Sequence, residues 1–195
     1  MDLTGKGRAD EIELVSRARQ SSTEAWEALV RVHQEPMFRL AYLLLGDADE
    51  AQDVAQEAFI RAYRALGRFD VERPLRPWLL SISANLARNR LRSSGRYLAA
   101  LQRWIKIEPA ASPSIEERGI QNLERQNLWR AIRRLNFPDQ QIIYLRYFLE
   151  MTTEEVAETL QVPAGTVKSR MHRALKRLRG VIEREFPELS GGKET

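Results

Sequence analysis

TTEEVAETLQVPAGTVKSRMHRALKRLR, Thr152 to Arg179, is the stretch from which the fold is read. Thr152 with Glu155 three residues on makes a capping box, the reciprocal hydrogen-bond pattern that opens a helix, and Val156, Ala157 and Leu160 supply one apolar face. Gln161 to Pro163 break the pattern. A second helix is expected from about Pro163, a residue tolerated in a first turn, with Val167, Met171, Leu175 and Leu178 along one side. Its other side is basic: Lys168, Ser169, His172, Arg173 and Lys176 fall at positions that the helical period turns away from the core. A short helix, a tight turn and a longer basic helix together form a helix-turn-helix, whose second helix the DNA major groove is wide enough to admit. The competing reading is an ordinary amphipathic hairpin; the exposed Lys, Arg and Ser, types that read base edges as well as carry charge, favour DNA. Gln161 stands where glycine would most easily adopt a left-handed backbone, at a cost on the order of 1 kcal/mol.

Helical periodicity continues outward from this segment. Apolar residues recur at three- and four-residue steps in Trp26, Leu29 and Val30, in Phe38, Tyr42 and Leu45, in Val54, Ala58, Phe59, Ala62 and Leu66, and in Leu79, Ile82 and Leu86. No segment alternates as a strand would. The punctuation agrees: Ser22 precedes a helix, Pro36 suits a first turn, Asp47 caps the next helix and Gly67 ends it, and Pro74 and Pro77 force a loop before a helix beginning near Trp78. Asp139 is read as the cap of a further helix carrying Ile142, Ile143, Leu145 and Tyr147. Between them EPAASPS, Glu108 to Ser114, has no strong period. The expectation is an all-α chain of two small helical domains, 9–95 and 116–186, joined by a flexible linker over 96–115 and followed by a mobile tail over 187–195.

The 195 residues suffice for two such domains, and with 43% hydrophobic and 30% charged residues the chain is compositionally globular. Cysteine is absent and histidine is limited to His33 and His172, so thiol enzymes, disulfide frameworks and zinc sites are excluded, and no metal or cofactor is expected. Apolar runs such as Leu43 to Leu45 are far shorter than the roughly 18 residues of a membrane helix. The start, MDLTGKGRADEIEL, has neither a secretion signal's apolar core nor a transit peptide's bias, so a cytoplasmic protein without membrane insertion is expected.

The net charge of +4 conceals a pattern. Acidic residues outnumber basic ones from Glu11 to Glu72. Arg73, Arg76, Arg88, Arg90, Arg92, Arg96, Arg103 and Lys106 then follow with no acid among them, and a second basic block from Lys168 to Arg184 is opposed only by Glu183. Two basic patches fit two contacts with one polyanion, or two solvated helix faces. In DEAQDVAQEAFIRAYRAL, Asp49 to Leu66, the side chains of Asp49, Gln52, Asp53, Gln56 and Glu57 line one face; by spacing alone solvation accounts for that stripe equally well. In RFDVERPLRPWLLSISANLARNRLR, Arg68 to Arg92, Trp78, Leu79, Ile82 and Leu86 turn inward and Ser81, Asn85, Arg88, Asn89 and Arg92 outward. Asparagine is a mediocre helix former whose amide both donates to and accepts from a base, which gives two of them on a basic helix a use.

DVAQEAFIRAYRAL with RPWLLSISANLARNRLR, and LRYFLEMTTEEVAETLQVPAGTVKSRMHRALKRL, resemble the bacterial extracytoplasmic function (ECF) sigma factors, the similarity running from about 10 to 185. The resemblance implies that the first domain is sigma region 2 and the second region 4. It implies core RNA polymerase as partner, bound at the clamp coiled coil of its largest subunit through Asp49, Gln52, Asp53, Gln56 and Glu57, and at its flap region near the upstream element. The loop Phe69 to Pro77 and the following helix would open the −10 element and hold an unstacked base, with Phe69, Ser81, Asn85, Arg88, Asn89 and Arg92 as contacts; Trp78 serves either there or in the core. Thr166, Lys168, Ser169, His172, Arg173 and Lys176 would read the −35 duplex, with Arg170 and Arg177 on phosphates. The linker would run through polymerase, and an anti-sigma factor would hold the protein inactive. Gln161 departs from the glycine common in the family's turn, and His172 occupies a variable reading position. The rivals are a stand-alone helix-turn-helix regulator that binds duplex DNA without polymerase, and an enzyme built on paired carboxylates, for which neither a glycine-rich loop nor a nearby histidine base exists.

Overall fold

The computed structural model describes residues 3–104 and 120–189, and among these the chain is helical, with no strand. The first half comprises α1 (Leu3–Arg19), α2 (Thr23–Leu45), α3 (Ala48–Ala65) and α4 (Leu75–Trp104). Helix α2 packs against the other three, and α3 also lies on α4. Ser22 caps α2 by accepting the Ala25 N–H, and Gly46 closes it at φ 78°, giving its own N–H to the Tyr42 carbonyl. Asp47 caps α3 through the Glu50 N–H at 2.8 Å. On α3 the buried face is Ala51, Val54, Ala55, Ala58 and Ala62; side chains this small let neighbouring helices approach closely.

Pro36 lies inside α2 and not in a first turn. An interior proline removes one helical hydrogen bond at a cost of about 3 kcal/mol. The helix continues through it because the flanking turns bury His33, Met37, Leu40 and Ala41 in the core. Gly67 sits in a 3-10 turn, Leu66–Arg68, beyond the end of α3. Helix α4 starts at Leu75, ahead of the expected Trp78, and takes Pro77 into its first turn, where a missing N–H costs nothing. At its other end α4 reaches Trp104, so 96–104, expected as linker, is helix. The segment EPAASPS lies outside the described residues.

The second half comprises α5 (Ile120–Arg133), α6 (Phe137–Ile143), α7 (Thr153–Leu160) and α8 (Ala164–Glu185), with α8 packed against α5, α6 and α7. Asn136, not Asp139, caps α6: its side chain accepts the Asp139 N–H at 3.0 Å, and Asp139 itself is buried. After α6 a π-type turn, Tyr144–Phe148, shifts the helical phase, which sends Tyr144 fully inside and leaves Tyr147 54% exposed. The capping box of α7 is closed on both sides, Glu155 N–H to Thr152 Oγ1 at 3.1 Å and Thr152 N–H to Glu155 Oε2 at 2.7 Å. Gln161 takes the left-handed conformation, φ 53° and ψ 47°. On α8 the buried row is Val167, Ala174, Leu178 and Val181, whereas Leu175, expected inside, is partly exposed. Pro187–Leu189, expected in a mobile tail, forms a 3-10 turn whose Glu188 accepts from Asn127 at 2.9 Å.

The halves pack on each other: α7 lies against α4, and α2 meets α6 and the 144–148 turn. One buried apolar cluster runs through both.

Candidate nucleic-acid interface

The acidic stripe forms as its spacing requires, because Ala51, Val54, Ala55 and Ala58 commit the opposite side of α3 to the core. Asp49, Gln52, Asp53 and Gln56 are exposed and Glu57 is partly exposed. Part of the stripe is neutralised within the fold. Arg61 pairs with Glu57 at 2.7 Å, and Arg90 of α4 reaches Glu50 at 3.1 Å and Asp53 at 4.0 Å. Asp53 keeps 67% of its side chain in solvent, and at such exposure its ion pair contributes little. Ile60 and Tyr63 extend the same surface with exposed apolar area.

Ahead of α4 the 69–74 segment is held from α1. Arg19 donates to the carbonyls of Leu66, at 3.0 Å, and Phe69, and Arg8 donates to the Glu72 carbonyl. Asp70 turns back to accept the Glu72 N–H at 3.0 Å. Neither arginine was legible as a loop anchor, since each binds main-chain oxygen far away in sequence. Phe69, expected at a nucleic-acid surface, is 7% exposed, and its ring lies 4.6 Å from that of Trp78. Extended backbone at Phe69 points the ring inward, where it joins the apolar cluster. Ser81, also expected outside, is 9% exposed and gives its hydroxyl to the Trp78 carbonyl at 2.6 Å. Beyond it, Asn85, Arg88, Asn89 and Arg92 all stand exposed on α4. Arg88 donates to Asn85 Oδ1 at 2.5 Å, which uses one of that oxygen's two lone pairs.

On α8, Lys168, Ser169, Arg170, His172, Arg173 and Lys176 are exposed and Thr166 is half-buried. Ser169 spends its hydroxyl on the Thr166 carbonyl at 3.1 Å, and Arg173 Nε reaches the Ser169 carbonyl at 3.2 Å. Arg177, expected on a phosphate, is half exposed and paired within the fold: its Nε and Nη2 meet Asp139 Oδ2 and Oδ1 at 2.5 and 2.9 Å. The bond to Asp139 pushes the guanidinium's already high pKa further up. A basic face thus spans α8, with one arginine serving to anchor α8 to α6.

The α4 and α8 faces meet across one cleft of about 760 Å³. Asn85, Arg88 and Arg92 line it from α4, and Arg170, Arg173 and Arg177 from α8. Among the described residues its one acidic lining residue is Asp139, already taken by Arg177.

Residues 29–97 match the family model for sigma-70 region 2, and residues 125–178 that for sigma-70 region 4. The chain is 33% identical over 176 residues to the ECF RNA polymerase sigma factor SigW of Bacillus subtilis, covering 85% of this chain and 92% of that one. It is 34% identical over 170 residues to the RNA polymerase sigma-H factor of Pseudomonas aeruginosa, covering 83% and 88%. Among solved structures it is similar to CnrH in complex with the cytosolic domain of CnrY, with TM-score 0.68, 23% identity and coverage of 90% of this chain and 99% of that one. It is also similar to the sigma factor RpoE of Bartonella quintana in complex with the anti-sigma factor NepR, with TM-score 0.64, 22% identity and coverage of 84% and 99%. At those identities the structural likeness bears on the fold. It supports the all-α, two-domain architecture.

Proposed function

The chain belongs to the extracytoplasmic function RNA polymerase sigma factors, and from that membership we propose how its surfaces direct core RNA polymerase to promoters. The exposed part of the acidic stripe, Asp49, Gln52, Asp53, Gln56 and the edge of Glu57, binds the clamp coiled coil of the largest subunit, and the second domain sits near the flap region. Asn85, Arg88, Asn89 and Arg92 of α4 receive the opened −10 element. Extruding a base from its stack costs about a few kcal/mol, which amide and guanidinium contacts must return. Phe69 and Ser81 support this surface from beneath rather than touching DNA. Lys168, Ser169, His172, Arg173 and Lys176, with Thr166 at the start of the row, face the −35 major groove, and Arg170 takes a phosphate. Arg177 acts by fixing α8.

The observation that carries this reading is the pairing, in one chain, of an α4 face rich in asparagine and arginine within the region 2 match and a basic helix-turn-helix within the region 4 match. A stand-alone helix-turn-helix regulator accounts for the second and leaves the first without purpose. The protein promotes initiation without itself making or breaking bonds, and it acts in the cytoplasm. Among the described residues no helix is long and apolar enough to cross a membrane. An anti-sigma factor regulates it by covering these surfaces; RpoE of Bartonella quintana, whose fold it shares, was solved bound to one.

The test is reconstitution. Core enzyme with the purified chain is expected to give promoter-dependent transcripts, and Asp53→Ala with Glu57→Ala to weaken the complex while leaving −35 duplex binding by the chain intact. Absence of any complex between wild-type chain and core would sink the reading.

A further inference from the structure

The segment between α3 and α4 consists of two short turns. Phe69 N–H donates to the Leu66 carbonyl at 3.1 Å, Arg73 N–H to the Asp70 carbonyl at 3.1 Å, and Glu72 N–H to Asp70 Oδ1 at 3.0 Å. Each of these bonds closes within three residues. Bonds of so short a span shape each turn and leave the angle between the turns open, and among the described residues of the segment no further hydrogen bond joins one turn to the other. The Phe69 ring, 4.6 Å from that of Trp78, pins the first turn from one side.

Helix α1 supplies the joint. Arg19, in its last turn, donates through Nε to the Leu66 carbonyl at 3.0 Å and through Nη2 to the Phe69 carbonyl, while Arg8 donates to the Glu72 carbonyl. One guanidinium therefore spans the first turn and another holds the second. At a rise of about 1.5 Å per residue the two arginines stand about 16 Å apart along α1, so the segment lies lengthwise beside that helix. A planar guanidinium fork can hold two carbonyls at once, which a lysine ammonium reproduces only in part. The helix that carries both arginines is itself fixed: Val15 and Ala18 are buried in the core, and Glu11 Oε1 lies 3.2 Å from Nε2 of His33, a buried residue of α2.

We propose that α1 is a splint for this segment and that Arg19 is its main positioning residue, holding the loop in the shape that receives an extruded −10 base before the base arrives. The inference rests on the sigma-factor reading for what the loop receives. A loop ordered in advance is spared the ordering cost that a slack one meets on binding, so its affinity rises without any added contact to nucleic acid. Arg19 acts through the Leu66 and Phe69 carbonyls and touches no DNA. The other use of an exposed arginine, a phosphate contact, leaves a different mark, because it contributes to the salt dependence of binding.

The test uses holoenzymes assembled from core and each full-length variant, titrated with a fluorescein-labelled single strand carrying the −10 element of a promoter that the wild-type holoenzyme transcribes. Arg19→Ala should weaken binding about tenfold, equivalent to about 1.4 kcal/mol, with affinity for core and the salt slope both unchanged. Arg19→Lys should recover only part of that loss. Arg17→Ala, which removes the same charge two residues earlier on α1, should bind as the wild type does. Arg8→Ala, at the other end of the splint, should cost about threefold, and it decides the matter should Arg19→Ala fail to fold. A second readout follows the segment directly. Because the chain lacks cysteine, Arg68→Cys carries a single nitroxide, whose spectrum should show restricted motion alone and faster motion once Arg19→Ala is added. Equal losses in Arg17→Ala and Arg19→Ala, a salt slope lowered by about 0.7 in Arg19→Ala, or a nitroxide indifferent to that change overturns the splint. A wild-type holoenzyme that gives no promoter-dependent transcript removes the sigma-factor reading, while the nitroxide still decides whether α1 holds the segment.

Discussion

The carboxylate of Asp139, with only 6% of its side chain in solvent, grips the guanidinium of Arg177 through two bonds of 2.5 and 2.9 Å and so ties α6 to α8. Removing the arginine would leave a buried negative charge without its counter-ion. Because Arg177 is itself half exposed, water recovers part of that loss, and Arg177→Ala should lower the melting temperature of the fold. Arg173→Ala, one helical turn away and exposed, should leave thermal stability nearly unchanged. It should instead cost about 1–3 kcal/mol in duplex affinity if the side chain reads a base, or lower the salt slope by about one unit if it holds a phosphate. Thermal melts and duplex titrations of the two variants separate anchor from reader.

Gln161 holds φ 53° and ψ 47° in the turn between α7 and α8. A side chain bearing Cβ is strained there, and Gln161→Gly should stabilise the second half by about 1 kcal/mol, offset in part by the extra freedom glycine gains when unfolded. The midpoint of chemical denaturation, with unchanged slope, is the measure.

Gly46 has the opposite constraint. At φ 78° it ends α2, and a Cβ there would overlap the Arg133 guanidinium. Gly46→Ala is expected to cost about 1–2 kcal/mol from backbone strain and to displace Arg133 from the Leu45 carbonyl as well. The melting temperature should fall by several degrees, and the tryptophan fluorescence should change as the cation leaves the Trp129 ring.

Burial pushes the Tyr144 phenol well above its ordinary pKa of 10.0. In the unfolded chain it ionises near that ordinary value, while in the folded chain it keeps its proton. Between the two values the native state holds the extra proton, so stability falls as pH rises above about 10. Tyr144→Phe should flatten this alkaline loss in unfolding experiments between pH 9 and about 11, relative to wild type.

The helices that sequence reading located best are those whose local signals agree. Ser22, Asp47 and the Thr152–Glu155 pair cap helices because each needs only a hydrogen bond within three residues. Pro36 and Asp139 were read from the same local vocabulary, and tertiary packing outvoted them. The core on either side of Pro36 holds α2 together, and Asp139 is turned inward to Arg177 while Asn136 caps α6. The helical period turns Ser81 outward and the family resemblance puts Phe69 against DNA, yet a ring that meets Trp78 and a hydroxyl that finds a carbonyl have no reason to face water.

What the sequence determined by itself is the all-helical class, the helix-turn-helix, and the three polar faces on α3, α4 and α8, because periodicity and capping act within a few residues and survive any tertiary arrangement. Only the tertiary structure decided how the halves meet. Arg73 with Glu158, Arg133 with Leu45, and Arg8 and Arg19 on loop carbonyls join positions dozens of residues apart. Their attraction depends on distance through space, which no local pattern along the chain encodes.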